Sequence, residues 1–201
     1  MTPDQSNEFF TKHFAKRRMM VILRGHPSAQ ALALAESAWE AGLPLVEVPL
    51  QGDTEAASLE ALVSSGARRS RTTGAGTVTT VELVERAAKI GARFTVAPGW
   101  DAGVLARSLA LDLPHLPGVA TGTEVPNAMS HGLRWLKGFP ASTLGSAWFS
   151  AMRGPFPEAS IVATGGITLA NAAEFLDAGA AAVSVGSLFA SMSPQQLRAL
   201  G

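Results

Sequence analysis

The sequence predicts an α/β fold, a (β/α)8 TIM barrel with an N-terminal helix, occupying residues 1–201 as a single domain. Three observations predict it. Short apolar segments alternate with amphipathic stretches eight times, a rhythm that implies parallel strands joined by helices and a number that closes a barrel. Hydrophobic residues make up 47% of the chain and charged residues 16%, a balance suited to a sheet covered on both faces. Glycines and polar residues collect where the apolar segments end, as a single barrel mouth requires. A doubly wound open sheet is the rival arrangement.

Residues 4–18 carry Phe10 and Phe14 on one face of an expected helix that packs on the domain. Met19-Met20-Val21-Ile22-Leu23-Arg24 reads as a buried first strand ending in a charge. Ser28 is the candidate N-cap of the helix that follows, with Gly42 as its stop. The second strand covers residues 45–50 and the next helix 54–65, with Gly66 behind it. A weak third strand, 71–74, leads into Gly74-Ala75-Gly76-Thr77, and a helix runs from Thr79 or Thr80 to Ile90. Residues 94–97 form the fourth strand, and Asp101 caps a helix to Ala110. Residues 114–117 form a short fifth strand, and Thr123 opens a helix that ends by Gly132. Residues 133–137 are the sixth strand, followed by a helix over 144–152. The seventh strand, 160–164, ends in Gly165-Gly166, with a helix over 168–178. The eighth, 182–185, ends in Gly186-Ser187, and a last short helix starts at Ser193 with Pro194 at its first position.

Composition excludes several classes of function. Sixteen basic and sixteen acidic residues cancel, so the chain has no overall electrostatic footprint for nucleic acid or an anionic membrane. With no cysteine there is no disulfide, thiolate metal site or cysteine nucleophile. His13, His26, His115 and His131 lack metal-ligand spacing, so neither a metal nor another cofactor is expected. The apolar runs fall far short of the ~20 residues of a membrane helix. Met19-Met20-Val21-Ile22-Leu23 after Lys16-Arg17-Arg18 is too short for a signal sequence. These readings place the protein in the cytoplasm.

Lys137 carries the strongest chemical signal. It ends an apolar strand, where burial disfavours the ammonium and a neutral amine could attack a carbonyl to give a Schiff base. The plainer alternative is a strand-end lysine extending its charge to water. Glu47, inside Val46-Glu47-Val48-Pro49-Leu50, is costly to bury alone, so it either pairs with a cation or moves protons. The glycine-rich ends of the seventh and eighth strands, Gly165-Gly166 and Gly186-Ser187, let backbone amides approach an anion such as phosphate, although each strand must turn somewhere.

Five blocks carry a resemblance: Val46-Glu47-Val48-Pro49-Leu50, Gly74-Ala75-Gly76-Thr77-Val78, Ala97-Pro98-Gly99, Leu136-Lys137-Gly138-Phe139-Pro140-Ala141 and Ala163-Thr164-Gly165-Gly166-Ile167. In this order they resemble the class I 2-keto-3-deoxy-6-phosphogluconate and 2-dehydro-3-deoxy-6-phosphogalactonate aldolases, from about residue 19 to 190. The resemblance implies retro-aldol cleavage of a phosphorylated 2-keto-3-deoxy sugar acid to pyruvate and glyceraldehyde 3-phosphate. It assigns Lys137 as the Schiff-base lysine, Glu47 as the proton shuttle, Thr77 to the keto-acid end, and Gly165, Gly166, Gly186 and Ser187 to the phosphate. It also implies a homotrimer.

Two departures refine the expectation. The phosphogluconate branch has an arginine four residues after the glutamate, where this chain has Gln51. An amide there and an arginine after the first strand are features of the phosphogalactonate branch, so Arg24 is expected to clamp the substrate carboxylate, with Gln51 beside it. Gly138 stands where the family has a bulky apolar residue, which predicts loose packing next to the lysine. Phosphogluconate or 4-hydroxy-2-ketoglutarate cleavage is the alternative within this chemistry, and a non-catalytic barrel that binds a phosphorylated metabolite is the alternative outside it.

Overall fold

Two-residue alternation in the strands sorts side chains between the barrel interior and the surrounding helices, and that sorting builds the site. The computed structural model describes residues 1–186 except Lys16, Pro44 and residues 68–70. Its elements in chain order are α1 (Pro3–Phe14), β1 (Met19–Ile22), α2 (Ser28–Glu40), β2 (Leu45–Pro49), α3 (Asp53–Ala67), β3 (Thr72–Gly76), α4 (Val81–Ile90), β4 (Thr95–Val96), α5 (Ala102–Ala110), β5 (His115–Leu116), β6 (Gly118–Val119), α6 (Glu124–Ser130), β7 (Trp135–Gly138), α7 (Ala141–Leu144), α8 (Ser146–Arg153), β8 (Ser160–Thr164), α9 (Leu169–Asp177) and β9 (Ala182–Val185). Ser187 and the helix expected from Ser193 lie outside the described residues. None of the described helices is long and apolar enough to cross a membrane.

The described strands form one parallel sheet in the order β5-β4-β3-β2-β1-β9-β8-β7-β6. Of its two ends, β5 lies within the fifth strand expected over 114–117, and β6 falls just beyond it, after Pro117. β5 pairs with β4 and β6 with β7, so the ring closes through this segment. Pro117 accepts from the Lys137 amide at 2.8 Å through its carbonyl but has no N–H to return, which interrupts the ladder.

Helix boundaries follow local chemistry. Thr80 and Asp101 accept from the amides of Leu83 and Val104 and cap α4 and α5, as expected. Ser28 is not a cap: α2 begins at Ser28 itself, after Pro27, and has no side-chain cap. Pro27, fixed in an extended conformation, starts the helix instead. The expected helix over 144–152 is two, α7 and α8, broken at Gly145 with φ of 77°. Gly66 lies within α3 rather than behind it.

Outward residues such as Val21, Val46, Val48, Ala75, Leu136, Ala163 and Val183 pack under the helices. Inward residues form a second core of Met20, Leu45, Phe94, Val96, Leu116, Trp135, Val162 and Ala182, closed from below by Phe10 and Phe14 of α1. Helix α1 is therefore a plug. It begins with a reciprocal box between Thr2 and Gln5, and its polar side chains meet the strand starts. Asn7 accepts from the Arg134 amide at 2.8 Å and donates to the Gly132 carbonyl at 2.8 Å. Ser6 accepts from the His115 amide, and Thr11 from the Trp135 indole.

Phe10 is fully buried and meets Phe94 edge to face at 6.0 Å between centroids. Phe10→Ala should lower unfolding free energy by about 3–5 kcal/mol, measured by urea titration. A loss below ~1 kcal/mol would show that the barrel floor stands without the plug.

Candidate active site

The C-terminal ends of the strands open onto a cavity of about 470 Å³. Arg24, Lys137, Gly165, Gly166 and Gly186, all proposed from the sequence, line it together with Phe139, Thr164 and Ser184. Lys137 points inward from β7, only 4% exposed, with its amine 5.2 Å from the centre of the Phe139 ring. Glu47 points inward from β2, is wholly buried and lies outside that lining, and neither carboxylate oxygen has a hydrogen-bond partner among the described residues.

Burial is the main electrostatic cause at both groups. It pushes the Glu47 carboxyl up from its ordinary range, opposed by the charges of Lys137 and then Arg24. It pushes the Lys137 amine down, opposed by Glu47 and assisted by Arg24. Each group thus acts electrostatically on the other across the interior.

Glu47 fits only because β3 carries a glycine beside it. A Cβ on Gly76 would lie 1.7 Å from Glu47 Oε1, well inside contact distance. The same strand continues into Thr77, which has φ of 56°, an unusual conformation for a β-branched residue. Thr77 is half-buried and is not part of the cavity lining. Gln51 is exposed and also outside that lining; its side-chain oxygen accepts a hydrogen bond from Arg24 Nη1. The amide expected beside Arg24 is therefore hydrogen-bonded to it.

Gly138 does not leave the hole expected of it. A Cβ there would lie 2.8 Å from the Phe149 ring and 3.0 Å from Ile161 Cγ2. Phe149, from α8 and 1% exposed, occupies the volume that a larger residue at 138 would fill.

At the opposite rim, Gly165 and Gly166 have φ of 96° and 74°. The Gly165 carbonyl accepts from the Ser142 amide at 2.9 Å and the Gly166 carbonyl from Asn171 Nδ2 at 3.0 Å. In a trans peptide the N–H opposes the C=O, so the amides of Gly166 and Ile167 point away from those partners. A side chain at 166 would strike Ser142, whose Oγ would lie 2.3 Å from its Cβ. Thr168 then caps α9 in a reciprocal box with Asn171.

Phe139, Thr164 and Ser184 were not singled out as site residues in the sequence. Their signal is faint: a hydroxyl at an inward position near the end of a buried strand, or an aromatic just beyond one. Among the described residues no group of three or more His, Cys, Asp or Glu could hold a metal ion. His115 lies behind the wall, between β5 and α5, with Nδ1 2.8 Å from Thr95 Oγ1; burial holds it neutral with a pKa of about 3.

A parallel barrel with a desolvated lysine at its mouth and a buried carboxyl inside defines a carbon–carbon lyase of the class I aldolase type. The profile of the family described as KDPG and KHG aldolase matches residues 11–199, and the chain belongs to that family. It is 34% identical over 173 residues to 2-dehydro-3-deoxy-6-phosphogalactonate aldolase of Escherichia coli (strain K12), spanning 86% of this chain and 84% of the relative. A solved structure described as native KDPGal has a TM-score of 0.80 and 31% identity, covering 90% of this chain and 89% of its own. The KDPG aldolase of Legionella pneumophila, in which pyruvate was captured at low pH as a covalent carbinolamine, has a TM-score of 0.81 and 28% identity, covering 93% of each chain.

Gly76→Ala should displace the Glu47 carboxyl while leaving β3 in place. Turnover is expected to fall by about a hundredfold, the range of a lost general acid–base, with an unchanged far-ultraviolet spectrum. Full activity in that variant would show that the position of Glu47 does not matter.

Proposed function

We propose that the protein cleaves 2-dehydro-3-deoxy-6-phosphogalactonate to pyruvate and glyceraldehyde 3-phosphate through a Schiff base on Lys137. The observation that carries this reading is a desolvated amine in the lining of a mouth rimmed by Gly165 and Gly166, within electrostatic reach of the buried Glu47 carboxyl. Similarity to the phosphogalactonate enzyme of E. coli supports the choice of substrate.

The neutral Lys137 amine attacks the C2 ketone, and the resulting carbinolamine loses water to give an iminium ion. Glu47, acting through a water, takes the proton of the C4 hydroxyl. The C3–C4 bond breaks and its electron pair flows into the iminium, leaving an enamine and releasing the aldehyde. Protonation at C3 and hydrolysis of the imine then release pyruvate and restore Lys137. Arg24 holds the substrate carboxylate as a guanidinium can, and Gln51 keeps Arg24 aimed. Gly165, Gly166, Gly186 and Ser187 receive the phosphate, and Thr77 borders the keto-acid end. Such a phosphorylated, charged substrate is confined to the cytoplasm, and the resemblance supports assembly as a homotrimer.

Borohydride added with pyruvate should place one covalent adduct on Lys137, located by peptide mass spectrometry. Because burial lowers the amine's pKa, the neutral form dominates above that lowered value and is lost as pH falls through it. Trapping should therefore persist well below the pH at which a solvent-exposed lysine becomes protonated. Glu47→Gln should still be trapped by pyruvate yet lose about 10²–10⁴ in turnover. An adduct on another residue, or none, rejects the mechanism. Faster cleavage of the gluconate epimer or of 4-hydroxy-2-ketoglutarate rejects the substrate.

A further inference from the structure

Ser184 stands inward on β9, 2% exposed, and lines the active-site cavity. Its hydroxyl is buried and has no hydrogen-bond partner among the described residues. A buried hydroxyl without a partner is costly, and this one belongs to a residue of the cavity lining rather than of the packed apolar core. On one side Ser184 is in register with Thr164 of β8, the residue before Gly165, and on the other with Met20 of β1. Thr164 directs its own hydroxyl to the Val162 carbonyl at 3.4 Å, so it does not partner Ser184.

Position along the strand decides which part of a substrate this hydroxyl meets. Ser184 lies two residues before Gly186, roughly 6.6 Å at the rise of a strand. It therefore sits in the polar layer below the glycine rim, on the same side of the barrel as that rim. In an extended sugar acid held by Lys137 at C2 and by the rim at its phosphate, the C4 hydroxyl belongs to the Glu47 side, where its proton is removed. The next oxygen toward the phosphate is the C5 hydroxyl.

We propose that Ser184 is a specificity residue that hydrogen-bonds the C5 hydroxyl of the substrate. The inference rests on the aldolase reading given above and adds to it a contact made by this chain's own side chain. It does not depend on the configuration at C4, because galactonate and gluconate forms yield the same aldehyde, whose C2 hydroxyl is the former C5 hydroxyl.

The test runs the reaction as condensation of pyruvate with either of two aldehydes, glyceraldehyde 3-phosphate or 3-oxopropyl phosphate, which lacks the hydroxyl in question. For Ser184→Ala, kcat/KM with glyceraldehyde 3-phosphate should fall about tenfold or more, while that with 3-oxopropyl phosphate stays within about twofold. Ser184→Thr, which keeps the hydroxyl, should retain the preference for the hydroxylated aldehyde. Removing an unpaired buried hydroxyl should leave the Tm of the unliganded protein equal to or above that of the parent, whereas a structural role would lower it. Equal losses with both aldehydes, no loss with either, or a lowered Tm overturns the assignment. A parent enzyme that condenses neither aldehyde and traps no pyruvate on Lys137 overturns the aldolase reading along with it. Normal condensation by the parent with no aldehyde-dependent effect at Ser184 overturns the hydroxyl contact alone.

Discussion

The burial of an amine and a carboxyl inside one barrel governs the rest of this structure. Each group alone would be expensive to remove from water, and together they still retain shifted proton affinities. The protein accommodates them by making neighbouring positions small. Gly76 leaves room for Glu47, and Gly138 leaves room for Phe149 behind Lys137. The polar layer stands above an apolar one containing Met20, Leu45, Phe94, Leu116 and Trp135, which denies water a route from below. Helix α1 completes that floor, so an N-terminal segment far from the mouth contributes to the dryness on which the chemistry depends.

The same alternation that fills the floor aims the site. On β2, Leu45 belongs to the floor and Glu47 to the mouth, two residues apart on one face. On β7, Trp135 and Lys137 repeat this division, as do Val162 and Thr164 on β8, and Ala182 and Ser184 on β9. A slip of one residue in any of these strands would exchange the inward side chain for one that belongs under a helix. Stability and catalysis thus share a register.

Much of this was legible in the sequence, for identifiable reasons. β8 and β9 match the expected segments because short, mainly apolar runs end at Gly165 and Gly186. Lys137 and Glu47 stood out because a charge inside an apolar strand has few explanations. The fifth strand was expected to end at Pro117, whereas pairing resumes at Gly118, because an apolar run does not reveal which ladder bond a proline removes. Ser28 looked like a cap by residue type, but Pro27 fixes the turn one residue earlier. Gly138 was misread because the ring that fills its space comes from Phe149, on a later helix. Gln51 was expected at the carboxylate end with Arg24, but its hydrogen bond to Arg24 was not legible, since it depends on how two loops converge. Thr164 and Ser184 gave little warning, since serine and threonine occur in ordinary strands.

The directions of the two shifted proton affinities agree with the order of steps in the proposed mechanism. Burial raises that of Glu47 and lowers that of Lys137, which favours a proton on the carboxyl and a free electron pair on the amine. That is the distribution required for attack on a ketone followed by loss of water, where the acid can donate. Arg24 acts on both groups in the same sense, helping to keep the lysine unprotonated while drawing the glutamate back toward its ion. A carboxylate held by Arg24 would offset that positive field and raise the proton affinity of both groups. Binding then strengthens Glu47 as an acid reservoir when the carbinolamine must dehydrate. In the proposed mechanism the positive charge of the iminium would favour the carboxylate, and Glu47 would then be the base for the C4 hydroxyl. One buried carboxyl can therefore serve both steps, because the charge beside it changes as the reaction proceeds.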